Sequence, residues 1–424
     1  MMIPTYTTLN TQKKVILLSK IVVVGGGVSG LLSAIFASND KNEVIILEKR
    51  DIPGKKILVT GNGRCNFWNE DVSQNHYNSQ DENLISKIIN DENKRKILDF
   101  FDRVNLVPYI KNGYYYPYSK EASTVRNILL DEVSNKNVKI VNNCKVKTIV
   151  KENDKFIINK NVENIICDKV IIATGSLSYY NDDSQIIGYD IAKSFGHKIV
   201  KVLPSLVQLR AKEKYKFLTM WKNARCEAVT SLISNGAVLK EEKGEIMLTD
   251  YGVSGICIFN LSSIATRLLD KNETVSIRIN FAPWHVNFNQ YVNLSVNKYE
   301  NFKVNNFLRG FLHSKIIDVI LMQTNIDKDK QLKELTHLEI QNLVNAITSF
   351  EVPIGSTNSF LESQVSAGGI PLSEIDLSTM ESRLEKGLYF AGEVIDVDGD
   401  CGGFNLAFAF ISGLLAGLGS GKND

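Results

Sequence analysis

Ile21–Val24 is a short, wholly apolar run, and Gly25-Gly26-Gly27-Val28-Ser29-Gly30 follows it directly. A continuous apolar run of this length suits a strand buried on both faces of a parallel sheet. A G-x-G-x-x-G turn that leaves such a strand and opens a helix is the phosphate-binding turn of dinucleotide folds. Each glycine has a steric reason. Gly25 permits the tight turn, Gly27 lets a diphosphate come close to the backbone, and Gly30 lets the helix lie against the strand. Val28–Ser38 is small and apolar at helical spacing, and Ser29 stands in its first turn. The free N–H groups and dipole at that end favour an anion. Glu43–Glu48 reads as the next strand. Glu48 ends it where a carboxylate accepts hydrogen bonds from ribose hydroxyls, and Lys49 beside it is a further candidate cofactor contact.

Glycine usage places the partner of this turn far away in sequence. Of 28 glycines, 7 fall in residues 21–63 and 11 in residues 368–424. Glycine serves where backbone must approach a ligand or adopt positive φ. The two chain ends are therefore expected to form one discontinuous α/β, Rossmann-like domain, residues 20–203 with 354–424. Two further apolar strands end in glycine turns: Val170–Ala173 before Thr174-Gly175, and Leu388–Ala391 before Gly392-Glu393. Between the two ends, 204–353 reads as an insert with Pro204 and Pro353 near its hinges. Short β-like runs with turn signals at Asn235-Gly236 and Lys243-Gly244 predict a small barrel over about 204–285. A polar, Lys/Asn-rich helical part follows over about 286–348.

Composition narrows the classes. The chain has 424 residues, 44% apolar and 23% charged, with a net charge of +2. Disorder and coiled coil are excluded by ordinary globular usage, and bulk charge gives no reason to expect a nucleic-acid partner. The six cysteines form no CxxC pair and the five histidines are dispersed, so neither a metal site nor a dithiol redox motif is expected. Sparse cysteine fits a reducing, cytoplasmic setting. Val15–Ala37 and Gly403–Gly419 are apolar, but each is interrupted or short for a membrane span. Both are read as buried segments, and the first 20 residues show no signal-cleavage pattern.

Asp396-Val397-Asp398-Gly399-Asp400-Cys401-Gly402-Gly403-Phe404-Asn405 precede an apolar helix over Leu406–Leu418. The helix N-terminus would stabilise negative charge developing on a flavin as it is reduced. The strand ends at Ala173-Thr174-Gly175 and Gly392-Glu393 look like those of glutathione-reductase-type flavin domains, in which the acid binds the ribityl chain. Arg64, Cys65 and Asn66 follow a Gly-rich turn ending at Gly63. Arg64 suits a phosphate or substrate oxyanion, while Cys65 reads better as a buried filler. Lys55 and Lys56 are candidates to neutralise phosphate. Tyr114–Ser119 reads chiefly as an aromatic strand before a helix capped by Ser119 or Ser123, and otherwise as a surface that stacks on a flat substrate. His197 reads as a structural residue at a turn.

Together these motifs resemble the BaiN-like (YhiN-like) flavoproteins, the aminoacetone oxidase family, over about Lys20 to Gly417. The resemblance is carried by Gly54 through Asn66, Gly196-His197 with Pro204–Val207, Leu248 through Gly255, Ala367–Ile370, Thr379–Ser382 and Gly387 through Asn405. It implies FAD as cofactor, a β-barrel plus helical insert and an oxidoreductase. Some members reduce conjugated double bonds of oxo-steroids. The implied reaction is hydride transfer through flavin N5 to a small molecule, with NADH or NADPH as a transient electron donor and no second nucleotide domain. An RNA-modifying or a non-catalytic flavin protein is the rival expectation. The chain departs from the family at Ser176, Tyr180, Asp183 and Ile186, and at Asn62, Asp250 and Ile256, which puts loop shape near the flavin in question. No catalytic acid or base is identified.

Overall fold

Ile21–Val24 becomes the centre of a parallel sheet in the computed structural model, which describes residues 19–160, 163–178 and 186–422. In chain order, β1 (Ser19–Val24), α1 (Val28–Ala37), β2 (Asn42–Leu47), β3 (Lys139–Val141) and β4 (Lys169–Ile172) precede four strands of a barrel. These are β5 (Leu209–Ala211), β6 (Arg225–Ser234), β7 (Ala237–Leu248) and β8 (Gly252–Ser254). Helix α2 (Ile256–Asp270) leads to β9 (Val275–Asn280), and β10 (Phe350–Thr357), β11 (Leu388–Phe390) and α3 (Phe404–Gly421) complete the set.

Five strands run parallel in the order β11-β4-β1-β2-β3, with two short antiparallel strands, 381–382 and 375–376, extending the β11 edge. The order reverses at β1, and in open α/β sheets ligands bind outside the carboxyl ends of the strands at such a switch. The sheet is covered by α1 and α3. Helix α3 is long and apolar enough to cross a membrane, yet 72% of it is buried within the protein. Its glycines set that contact: a Cβ on Gly413 would lie 2.6 Å from the Ser29 carbonyl. Its apolar character belongs to a core helix.

The six strands β5-β8-β7-β6-β9-β10 close into a barrel. β6 and β7 join through Asn235-Gly236, both at positive φ, as a two-residue hairpin requires. Three readings of this region differ from the sequence expectation. The β-like runs at 237–239 and 245–248 are one twelve-residue strand, because the turn signal at Lys243-Gly244 lies inside paired strand. The fifteen-residue α2 was missed, since its small polar residues Ser262, Ser263 and Thr266 hid the helical period. The last barrel strand runs to Thr357, past Pro353, which pairs within it. Helices at 288–298, 304–308, 314–324 and 337–348 stand between β9 and β10.

Candidate functional site

One cavity of about 910 Å³ extends from the carboxyl ends of β1 and β2 to the N-terminus of α3. This is near the top of the range of about 300–1,000 Å³ usual for small-molecule sites. At one end stand Gly25–Gly27, Ser29 and Glu48–Arg50; in the middle Lys56, Thr60–Asn62, Arg64, Ala173–Gly175 and Glu393; at the far end Asp400–Gly403 and Asn405. Tyr114 and Tyr116 add one wall, and Leu206, Ile256, Phe259 and Leu361 add an apolar one.

The glycine turn has three different surroundings. Gly25 takes φ +107°, and a Cβ there would lie 2.4 Å from the Ala173 carbonyl. A Cβ on Gly30 would lie 1.9 Å from the Gly25 carbonyl. At Gly27 it would meet nothing within 4 Å. The first and third glycines therefore permit backbone contacts, whereas the middle one faces open cavity at the start of α1. Asn66, in the cavity wall, has its Oδ1 buried with no hydrogen-bond partner among the described residues. A long, partly polar ligand with phosphates at α1 fits these residues.

Glu48 is buried and already engaged. Its Oε2 accepts from the Gly26 N–H at 2.7 Å and its Oε1 from the Arg50 N–H at 2.9 Å. Two oxygens carry about four acceptor sites, so a ribose can still be bound while the carboxylate braces the turn. Lys56 departs from expectation. Its Nζ donates to Glu393 Oε2 and to Ser178 Oγ, both at 2.7 Å, rather than standing free for a phosphate. The other Glu393 oxygen accepts from Ser178 Oγ and the Ser366 N–H. Burial pushes the Glu393 carboxyl up, but the Lys56 charge and the hydrogen bonds outweigh it and hold the group below its ordinary value.

Gly30, Gly63, Cys65, Gly392 and Phe404 do not line the cavity. Gly392 packs against Ser29, and Phe404 stacks on His76 with ring centres 4.2 Å apart. Gly63 is exposed in its turn. Burial pushes the Cys65 thiol up to about 12, so it carries no thiolate at neutral pH. Lys49, Arg64 and Asn405 line the cavity, and Arg64 is exposed there. Tyr114–Pro117 is a strand whose alternation turns Tyr114 and Tyr116 to the cavity and Tyr115 to Phe67. The helix after it is not capped by Ser119 or Ser123; Glu121 is its N-cap without a side-chain bond. His197 is buried between Glu374 and Ser382. The altered positions Tyr180 and Asp183 lie outside the described residues.

Sequence reasoning missed the residues behind the far end. Asp400 lines the cavity, and Lys240 of β7 and His76 both contact it. Asp400 stood in a recognised motif without a role, and His76 and Lys240 lie in stretches with no motif at all.

Three comparisons bear on the fold and site. The model of the HI0933-like protein Rossmann domain matches residues 19–419. The chain is 33% identical over 405 residues to a 3-dehydro-bile acid delta(4,6)-reductase of Clostridium scindens, covering 94% of this chain and 98% of that protein. It is 28% identical to a ribosomal RNA dihydrouridine synthase of Escherichia coli, covering 92% and 95% respectively. Among solved structures, a 3-ketosteroid-delta4-(5alpha)-dehydrogenase of Rhodococcus jostii aligns with 99% of this chain and 100% of its own at a TM-score of 0.50 and 12% identity, a likeness of fold alone.

Proposed function

This chain belongs to the HI0933-like Rossmann-domain family, and from that premise, with its fold that of an FAD-dependent oxidoreductase, we propose that it reduces a carbon–carbon double bond conjugated to a carbonyl. The cavity carries the reading: it joins a diphosphate cradle at Gly27 to an apolar wall at Ile256, Phe259 and Leu361. The names of the relatives support the same reaction. One is a delta(4,6)-reductase of a 3-oxo bile acid, and the other makes dihydrouridine, in which the ring double bond beside a carbonyl is saturated.

Bound FAD supplies the hydride. Gly25–Gly27 and the N-terminus of α1 would hold its diphosphate, Glu48 its ribose, and Glu393, fixed by Lys56, its ribityl chain. The N-terminus of α3, entered through Gly403, would favour negative charge beside it. Tyr114, Tyr116 and the apolar wall would position a flat substrate and exclude water.

A small hydrophobic enone suits that wall, and NADH or NADPH is the proposed electron donor. The rRNA-directed relatives favour a second reading, a uracil ring in RNA. Purified protein should release FAD on heating. After anaerobic reduction it should be reoxidised by a steroid dienone. Release of FMN or no flavin refutes the cofactor, and reoxidation only by ribosomal RNA refutes the small-molecule substrate.

A further inference from the structure

His76, Asp400, Asp71 and Lys240 meet where the cavity reaches α3, and binding of the cofactor gives them no task. Tyr77–Asn78 pairs antiparallel with Asp398–Gly399, and the Asp400 N–H donates to the His76 carbonyl at 2.8 Å. That backbone pairing sets the two side chains together. His76 Nδ1 lies 3.2 Å from Asp400 Oδ2, and its Nε2 lies 3.0 Å from Asp71 Oδ2. Asp400 is almost fully buried at the cavity wall, His76 is 30% exposed and Asp71 is 73% exposed. The chain of contacts therefore leads from solvent to the cavity. Phe404 stacks on the ring and fixes its plane.

We propose that His76 and Asp400 deliver to the cavity the proton that must accompany the hydride. This rests on the reductase reading above. Saturating the double bond forms a C–H bond from the hydride at the β-carbon, and the π pair moves toward the carbonyl to leave an enolate. The α-carbon then needs one proton. The Nδ1–H bond of His76 breaks as its proton passes to Asp400, and the carboxyl proton of Asp400 passes to the α-carbon. His76 regains a proton from solvent, and the two electrons come from an external donor such as a reduced pyridine nucleotide. Asp71 accepts from Nε2 and so keeps Nδ1 turned to Asp400.

The neighbouring charges agree with this order. Lys240 Nζ lies 2.9 Å from the other Asp400 oxygen and 3.1 Å from Glu242. Lys240 and His76 thus sit on opposite oxygens of Asp400, so the proton enters the carboxylate from the ring side. The hydrogen bond to Asp400 holds the His76 pKa above its ordinary value, with Asp71 adding to it and partial burial opposing it. Tyr77, Tyr114 and Cys401 also face this cluster, and burial pushes all three up, so they stay protonated at neutral pH. Lys94 stands beyond Asp71.

The test uses the full chain loaded with FAD, reduced anaerobically and mixed with cyclohexenone from about pH 5.5 to about pH 9. Wild type should slow as pH rises through the His76 pKa. His76→Gln, which keeps hydrogen bonds but carries no titrating proton, should be slower by about 100-fold and lose that limb. Ferricyanide takes electrons without a proton and controls for structural damage. Independently of turnover, the His76 ring should titrate above 6.5 by NMR, and Asp400→Asn should lower that midpoint. Equal slowing with both acceptors, a wild-type rate in His76→Gln, or a ring titration indifferent to Asp400→Asn overturns the relay. A wild type that reduces none of cyclohexenone, a steroid dienone and ribosomal RNA overturns the reductase reading and the relay with it.

Discussion

Two glycines of one turn should fail in opposite ways when changed to alanine. A Cβ on Gly27 meets nothing within 4 Å, and the residue's φ of −75° and ψ of −176° suit any L-residue. Gly27→Ala loses a favourable N-cap, about 0.5–1 kcal/mol, and gains about 0.4–1 kcal/mol from a less flexible unfolded chain. Folding stability should hardly move. The methyl group fills the space where a diphosphate approaches, so FAD affinity should fall at least about tenfold, or 1.4 kcal/mol. Gly30→Ala puts its methyl 1.9 Å from the Gly25 carbonyl. Backbone must shift, at about 1–3 kcal/mol for overpacking, and the melting temperature should drop by about 2–10 °C. Thermal melts of apo-protein and FAD titration by fluorescence separate the two effects. Wild-type FAD affinity in Gly27→Ala would show that no diphosphate lies there. A melting loss in Gly27→Ala as large as that in Gly30→Ala would refute the open space at Gly27.

Three other substitutions are informative. Arg267 of α2 pairs with the fully buried Asp398 at 2.6 Å; Arg267→Met strands that carboxylate and should cost about 3–5 kcal/mol, read by chemical denaturation. Glu393 has a lowered pKa, so its contribution to stability is complete above 4.5 and is lost as pH falls through the lower folded value. Lys56→Met removes the opposing charge and leaves burial to raise that pKa; FAD affinity of this variant should weaken with acidification from a higher pH than in wild type, and parallel profiles would detach Lys56 from Glu393. Gly403 takes φ +95°, and a Cβ there would lie 2.6 Å from the Trp68 carbonyl; Gly403→Val should loosen the 68–69 strand, seen as faster amide exchange there, rather than merely crowd a bound ring.

The glycine turn, both later strand ends, the barrel and the BaiN-like resemblance were all legible because each depends on local pattern: an apolar run, a turn residue or a motif. Gly25 and Gly30 could be given steric tasks from spacing alone, and the structure shows the contacts those tasks require. Lys56 illustrates the limit. Its motif suggested phosphate, but its partner Glu393 is 337 residues away, and no local signal reports such a pairing. His76 escaped notice for the same reason. Its position depends on a two-residue strand pairing with Asp398–Gly399 across 320 residues of chain. Helix α2 was lost differently: its buried Ser262 and Ser263 hydrogen-bond to Val207 and Asp398 outside the helix, and with buried Thr266 they erase the apolar stripe by which a helix is recognised.

Residues 396–401 carry the consequence of that long-range pairing. Side chains alternate along an extended segment, and Asp396, Asp398 and Asp400 share one side of it. Asp396 accepts from the Gln80 N–H, Asp398 from Arg267, Ser205 and Ser263, and Asp400 from Lys240 and His76. The Cys401 N–H donates to Asn260 of α2. Four of these partners, Arg267, Ser263, Asn260 and Lys240, belong to the barrel or its helix, while Gln80 and His76 belong to the segment leading from the sheet. The same six residues then deliver the chain to Gly403 and the N-terminus of α3. A shift of α2 against the sheet would move Asp398 and Cys401, and through them the end of the cavity where a substrate must meet the cofactor. The barrel is thus a brace for the reacting end of the site as well as its apolar wall, which is why the acids that fix it are buried and hydrogen-bonded rather than replaced by apolar contacts.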